Sequence, residues 1–197
     1  MKKYILIIAL IFSATTVFSQ KKKPAKATVS TALAKVNNLS MEMVQNKLYL
    51  FIANKTQKDT ILLKTFTDKV TPTACKITPF TTKGTALNLV SWTENSGTTT
   101  KDRTEDKTQI YSEIWNTTTK TKPLANVQGI TKIKEIQYLD KLKNASQTVE
   151  KFRNEGFAFS LTKEGDVKLK NKTQENTLSY NVSSNVYQNM KDIAKKK

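Results

Sequence analysis

Over residues 39–182, apolar and polar residues alternate with a period of two, and clusters of Asn, Asp, Lys, Thr and Ser interrupt the pattern about every twelve residues. A period of two sends successive side chains to opposite faces of an extended chain, so the pattern selects strands over helices. In "LSMEMV" (39–44) Leu39, Met41 and Met43 alternate, and "QNK" separates them from "LYLFIA" (48–53), which predicts a hairpin. The rhythm continues through "DTILLKTFT" (59–67), "CKITPF" (75–80), "ALNLVSWTE" (86–94), "KTQIYSEIWN" (107–116) and "ITKIKEIQYLD" (130–140). It resumes in "GFAFSLT" (156–162), "DVKLKN" (166–171) and "NTLSYNV" (176–182). "SQTVEKFRN" (146–154) reads as a strand or a short helix, because Val149 and Phe152 also fall at helical spacing. Pro72 and Pro79 predict that the 75–80 strand is short or lies at a sheet edge. "TKEGD" between Phe159 and Val167 predicts a tight hairpin turn.

Composition agrees with this reading. About one residue in seven is Thr, whose branched Cβ suits a pleated strand. With only 5 glycines, the turns fall to Asn, Asp, Lys and Ser. The expectation is a mainly β protein, an antiparallel β-sandwich or open barrel of about ten strands, with a short C-terminal helix. The helix is expected in "SSNVYQNMKDIAKKK" (183–197), where Ser183 or Ser184 caps a stripe of Val186, Met190 and Ile193 or Ala194, and lysines gather where the helix dipole favours them. "TVSTALAKV" (28–36) suggests a similar short lead-in. "NSGTTTKDRTED" (95–106) has no apolar residue and reads as a long mobile loop or a joint between halves of a β-rich domain spanning 28–182. "NKTQKDTI" (54–61) and "NKTQENTL" (171–178) agree at five of eight positions, each a polar turn feeding a strand.

The N-terminus carries an address. Lys2 and Lys3 precede an apolar stretch of 15 residues (4–18), and small Ser19 follows two positions after Val17. That is the layout of a signal peptide over 1–19, cut between Ser19 and Gln20, since a spanning helix needs about 20 apolar residues. The alternative, a retained anchor, draws on the lysines after the stretch (Lys21, Lys22, Lys23, Lys26), which invert the usual charge bias. Cleavage implies an exported protein, periplasmic or extracellular, with a basic flexible arm at 20–27 and no transmembrane span.

Formal net charge is +17. The arm lysines, with Lys191, Lys195, Lys196 and Lys197 of the tail, supply much of it, and the body between is moderately basic without charge blocks. Arg103 and Arg153 are the only arginines, and arginine is the residue that forks onto phosphates and base edges. Nucleic acid is therefore a poor partner; acidic polysaccharide, lipid head groups or an acidic protein suit the compartment better.

The chain has 0 histidines and 1 cysteine, which excludes Ser-His-Asp and Cys-His catalysis, His-containing zinc sites and an intrachain disulfide. Cys75 reads as a small buried thiol. No Gly-rich phosphate loop occurs, which argues against a nucleotide ligand. No cofactor or metal is expected. Two arrangements remain as candidate sites. In "IYSEIWN" alternation puts Tyr111, Glu113 and Trp115 on one face, where rings could stack on a sugar while the acid accepts hydroxyl hydrogen bonds. Trp92 and Glu94 share a face of their own strand and would join that platform if the two strands pair. The second arrangement is a pair of carboxylates in a small hydrolase acting on polysaccharide, although no spacing singles out a pair. The favoured expectation is a non-enzymatic binding or envelope-associated module.

Overall fold

The computed structural model describes residues 32–54, 58–67 and 70–190. The leader (1–19), the arm (20–27) and the tail lysines from Lys191 onward lie outside the described residues. The chain is mainly β, in three antiparallel sheets whose strands follow one another in sequence order. The first sheet holds β1 (Ala32–Val36), β2 (Leu39–Val44), β3 (Lys47–Ala53) and β4 (Lys58–Thr65). The second holds β5 (Thr73–Thr82), β6 (Thr85–Thr99), β7 (Arg103–Asn116), β8 (Thr121–Tyr138) and β9 (Ser146–Gly156). The third holds β10 (Ala158–Leu161), β11 (Val167–Lys170), β12 (Glu175–Asn181) and β13 (Val186–Asn189).

Alternation along β6 and β7 decides how the sheets stack. Val90 and Trp92 of β6 and Trp115 of β7 pack with Met41, Leu48, Leu50 and Ile61 of the first sheet. From the opposite face of the same strands, Leu87 and Ile114 pack with Val167, Tyr180 and Tyr187 of the third sheet. The central sheet is thus covered on both faces where these strands cross it, and residues 112–116 are buried without interruption. Ile114 and Trp115 are apolar there, and Glu113 and Asn116 are hydrogen-bonded, as such two-sided burial demands.

Beyond the covering sheets β6 to β9 run on as an open ribbon. β6 and β7 stay paired out to Thr99 and Thr104, and Thr100 N–H donates to Arg103 C=O at 2.7 Å to close the turn. Residues 95–106, expected as a mobile loop or a joint, are instead the end of this hairpin. They lack apolar residues because neither face there meets another sheet. Charge pairs replace packing: Arg103 pairs with Glu105 along β7 and with Glu135 across to β8, Glu135 with Lys151, and Glu150 with Lys132 and Lys134 at 3.1 Å. These lysine contacts hold the Glu135 and Glu150 carboxyls below the ordinary carboxylate range.

Other expectations need correction. Residues 186–189, expected in a C-terminal helix, form β13: Val186 pairs with Asn181 and Tyr180 with Tyr187, so Val186 starts an extended strand that Met190 follows, and the two do not share a helical stripe. Ser183, Ser184 and Asn185 belong to the turn before β13, and residues 191–197 of that expected helix lie outside the described residues. Ala32–Val36, expected as a helical lead-in, is β1 at a sheet edge beside β2. "SQTVEKFRN" lies within β9. β5 takes the edge position that Pro79 suits, but runs ten residues rather than a short stretch.

Turns confirm the scarcity of glycine. Asn37, Gln45, Lys83, Lys120 and Asn185 hold left-handed φ between 47° and 56°. Gly165, in the "TKEGD" turn between Leu161 and Val167, is different: its φ is +85° and a Cβ there would lie 2.5 Å from the Thr82 Cβ. Only glycine lets the third sheet approach β5 at that point.

Candidate functional site

β6 and β7 pair directly, with Trp92 opposite Tyr111, Val90 opposite Glu113 and Asn88 opposite Trp115. Trp92, Glu94, Tyr111, Glu113 and Trp115 therefore share one face of the central sheet. The rings of Trp92 and Tyr111 stack with centroids 4.9 Å apart and planes 2° apart. That face points at the first sheet rather than at solvent: Trp92 is 1% exposed, Trp115 8% and Glu113 7%. A sugar cannot lie on these rings, because the side chains of β2 to β4 already do. Tyr111 is half-buried and packs against the same core.

The two buried acids are handled alike. Glu94 accepts a hydrogen bond from Trp92 Nε1–H at 2.8 Å, and Glu113 accepts one from Trp115 Nε1–H at 2.8 Å. In each case Trp and Glu are two residues apart on one strand, so the indole and the carboxylate lean together on the same face. Each carboxylate also takes a lysine. Lys64 Nζ donates to both Glu94 oxygens at 2.8 and 2.7 Å and to Tyr111 OH at 2.6 Å, and Lys122 Nζ donates to Glu113 Oε1 at 2.8 Å. The Lys64 ammonium lies 4.0 Å from the centre of the Tyr111 ring. Burial pulls the Lys64 pKa down, but the hydrogen bonds to Glu94 and Tyr111 outweigh it and raise the net value above 10.5.

Neither lysine is where strict alternation would put it. The register of β3 against β4 shifts between Leu48 and Tyr49: Tyr49 faces Leu62, yet Leu48 faces Lys64. The extra residue, Leu63, is a bulge that turns Lys64 onto the core side beside Ile61. On β8 the register shifts between Ile114 and Asn116, which face Leu124 and Thr121. That second bulge contains Pro123, tolerated there because ladder pairing is interrupted, and its neighbour Lys122 reaches Glu113. Sequence reasoning missed both lysines; the visible signal was the mirrored pair "WTE" (92–94) and "EIW" (113–115), each of which demands a cation once buried.

A cavity of about 190 Å³ adjoins the first cluster, lined by Lys64, Phe66, Thr67, Val70, Glu94 and Gln109. Chemically it offers an ammonium and a carboxylate already committed to each other. A third buried acid, Glu42, lies on β2, where Ser40 Oγ donates to it at 2.7 Å and Lys58 Nζ at 3.2 Å. Among the described residues no group of three or more Cys, Asp or Glu side chains could hold a metal ion. Cys75 is half-buried against the core of the first sheet, and burial pushes its thiol pKa up, away from a reactive thiolate. The chain matches no known family model, and neither curated proteins nor solved structures show significant similarity to it.

Proposed function

We propose that the protein is an exported, non-enzymatic binding module whose sheets stack as a β-sandwich, acting on anionic polymers at the cell envelope or outside it. The observation that carries this reading is the state of the two acids on the central sheet. Glu94 faces Gln109, four residues along β7 from Glu113. Four strand residues span about 13 Å, whereas glycoside hydrolysis uses carboxylates about 5 to 9.5 Å apart. Each acid is also saturated by an indole N–H and an ammonium, so neither is free to donate a proton to a leaving group or activate water. Their work is to hold the scaffold. Export rests on the 1–19 leader pattern, and the anionic preference rests on the net charge of about +15 that is left once Lys2 and Lys3 leave with the leader, with lysine in large excess over arginine.

The test uses the chain from Gln20 onward. It is applied to immobilised polygalacturonate and to cellulose at physiological salt, with reducing ends measured in the same samples. Retention on polygalacturonate without release of reducing ends is expected. Steady release of reducing ends would overturn the non-enzymatic reading, and equal indifference to both polymers would remove the anionic partner. Edman sequencing of the exported protein should begin at Gln20.

A further inference from the structure

The rings of β6 and β7 that could stack on a sugar face the first sheet, but one aromatic at the far edge of the central sheet faces solvent. Phe152 of β9 is 67% exposed, on a strand where nearly every other side chain is polar. It lies at one wall of an open cleft of about 670 Å³, within the size range of small-ligand sites. β9 forms this wall with Phe152 and Asn154, and Gln128 of β8 lies beside them. The turn between β11 and β12 forms the other, with Lys170, Asn171 and Lys172. Gly156 lets the two walls meet. Its φ is +73° and a Cβ there would lie 2.3 Å from Val127 C=O, so glycine alone allows the chain to leave β9 against β8 and start β10.

We propose that this cleft binds a segment of an anionic oligosaccharide, an inference that rests on the binding-module reading above and gives it a site. The side-chain amides of Gln128 and Asn154 have no hydrogen-bond partner among the described residues. Asn171 is oriented rather than free. Its Oδ1 accepts from Thr173 N at 2.9 Å, Thr173 Oγ1 at 3.1 Å and Gln174 N at 2.9 Å, which fixes the turn and leaves its NH₂ as a donor. Amides that can donate and accept, set beside a ring that covers an apolar face, match the two surfaces a pyranose presents. Charge refines the class. The one carboxylate of the lining, Glu155, is taken up by Arg153 at 3.0 Å and Lys107 at 4.0 Å, and Lys170 is drawn to Glu175 at 3.5 Å, whereas Lys172 has no ion-pair partner among the described residues and stands ready for a carboxylate or sulfate on the sugar. The "NKTQ" turn that recurs in the sequence supplies this wall through Asn171, Lys172 and Thr173.

The experiment is an NMR titration of the ¹⁵N-labelled chain from Gln20 onward with tetragalacturonate, and in separate samples with cellotetraose, octaglutamate and oligothymidylate. Tetragalacturonate should move the side-chain amide signals of Gln128, Asn154 and Asn171. Phe152→Ala, at an exposed position, should weaken it by about tenfold, and Lys172→Gln by about threefold without weakening any binding of cellotetraose. If tetragalacturonate binds with unchanged affinity to Phe152→Ala and moves only signals elsewhere, the cleft assignment falls while the module reading stands. If tetragalacturonate is cleaved during the titration, the module reading falls. Octaglutamate or oligothymidylate moving the cleft amides as strongly as the sugar would overturn the ligand class, and no shift at millimolar sugar would overturn the site.

Discussion

Trp92 with Glu94, and Trp115 with Glu113, are one arrangement built twice on one sheet face, and the two copies differ in where the lysine originates. Lys64 comes from β4 in the facing sheet, so its pair with Glu94 ties two layers together across the core. Lys122 comes from β8, the neighbour of β7 in the same sheet, so its pair with Glu113 ties adjacent strands that backbone hydrogen bonds already join. Burial follows the same division: the Lys64 side chain is 28% exposed and also bonds Tyr111, while that of Lys122 is 38% exposed. An identical carboxylate and indole can therefore serve as an inter-sheet strap or as a rim contact, depending on which strand supplies the cation.

The largest expected effects come from the indoles. Trp→Ala in a core costs about 3–5 kcal/mol, and Trp92→Ala should lie at the upper end because it also loses the stack on Tyr111. Trp115→Ala should lie about 1 kcal/mol lower, since Trp115 has no such ring partner and stands nearer the end of its strand. Urea unfolding of both variants measures the difference. Should Trp92→Ala prevent folding, Trp92→Phe retains a ring and still loses the N–H to Glu94. A Trp115 variant as costly as its Trp92 counterpart would mean that the two copies are equivalent in packing.

Next come the lysines. Lys64→Ala leaves Glu94 buried with an indole N–H alone, and losing one partner of a buried pair costs about 3 kcal/mol or more. Lys122→Ala should cost about 1 kcal/mol, because water reaches Glu113 past an exposed partner. The double variant Lys64→Met with Glu94→Leu removes both charges and should recover most of the loss. Equal costs for the two lysines, read from urea midpoints at constant slope, would erase the distinction between strap and rim contact.

How much of this was legible in the sequence differs between the partners in each cluster. Alternation alone puts Tyr111, Glu113 and Trp115 on one face of their strand and Trp92 with Glu94 on one face of theirs, because a strand's period is fixed by its backbone. It does not say which face another sheet will cover. Two-sided burial of residues 112–116 depends on the first and third sheets folding back over β7, which is tertiary information. The lysines were illegible for a different reason. In "DTILLKTFT" strict alternation groups Lys64 with Leu62, and only the bulge at Leu63 turns it inward. The residues 95–106 failed in the opposite direction. They lack the apolar pattern because no sheet covers them, yet backbone pairing makes 95–99 and 103–106 strand around a short turn. At the C-terminus Val186 and Met190 fit a helical stripe, but pairing of β13 with β12 overrode so weak a pattern.

The smallest effect should appear in alkali, and it separates the two copies by a different property. The folded pKa of Lys64 is raised above its ordinary 10.5, with burial opposing the shift and the hydrogen bonds to Glu94 and Tyr111 driving it. A group whose pKa is higher in the folded state contributes stability that is complete below its unfolded pKa and disappears as pH rises through the folded value. The strap should thus hold up to about pH 10.5 and be lost above it. The many other lysines also titrate there, so the informative quantity is the stability difference between wild type and Lys64→Met, followed from pH 8 to the alkaline limit of folding. That difference should shrink above pH 10.5, because deprotonation does to the wild type what the substitution has already done to the variant. A difference that stays constant through the alkaline range would mean that Lys64 holds the sheets together by its methylene stem against Phe66 and Tyr111 rather than by its charge.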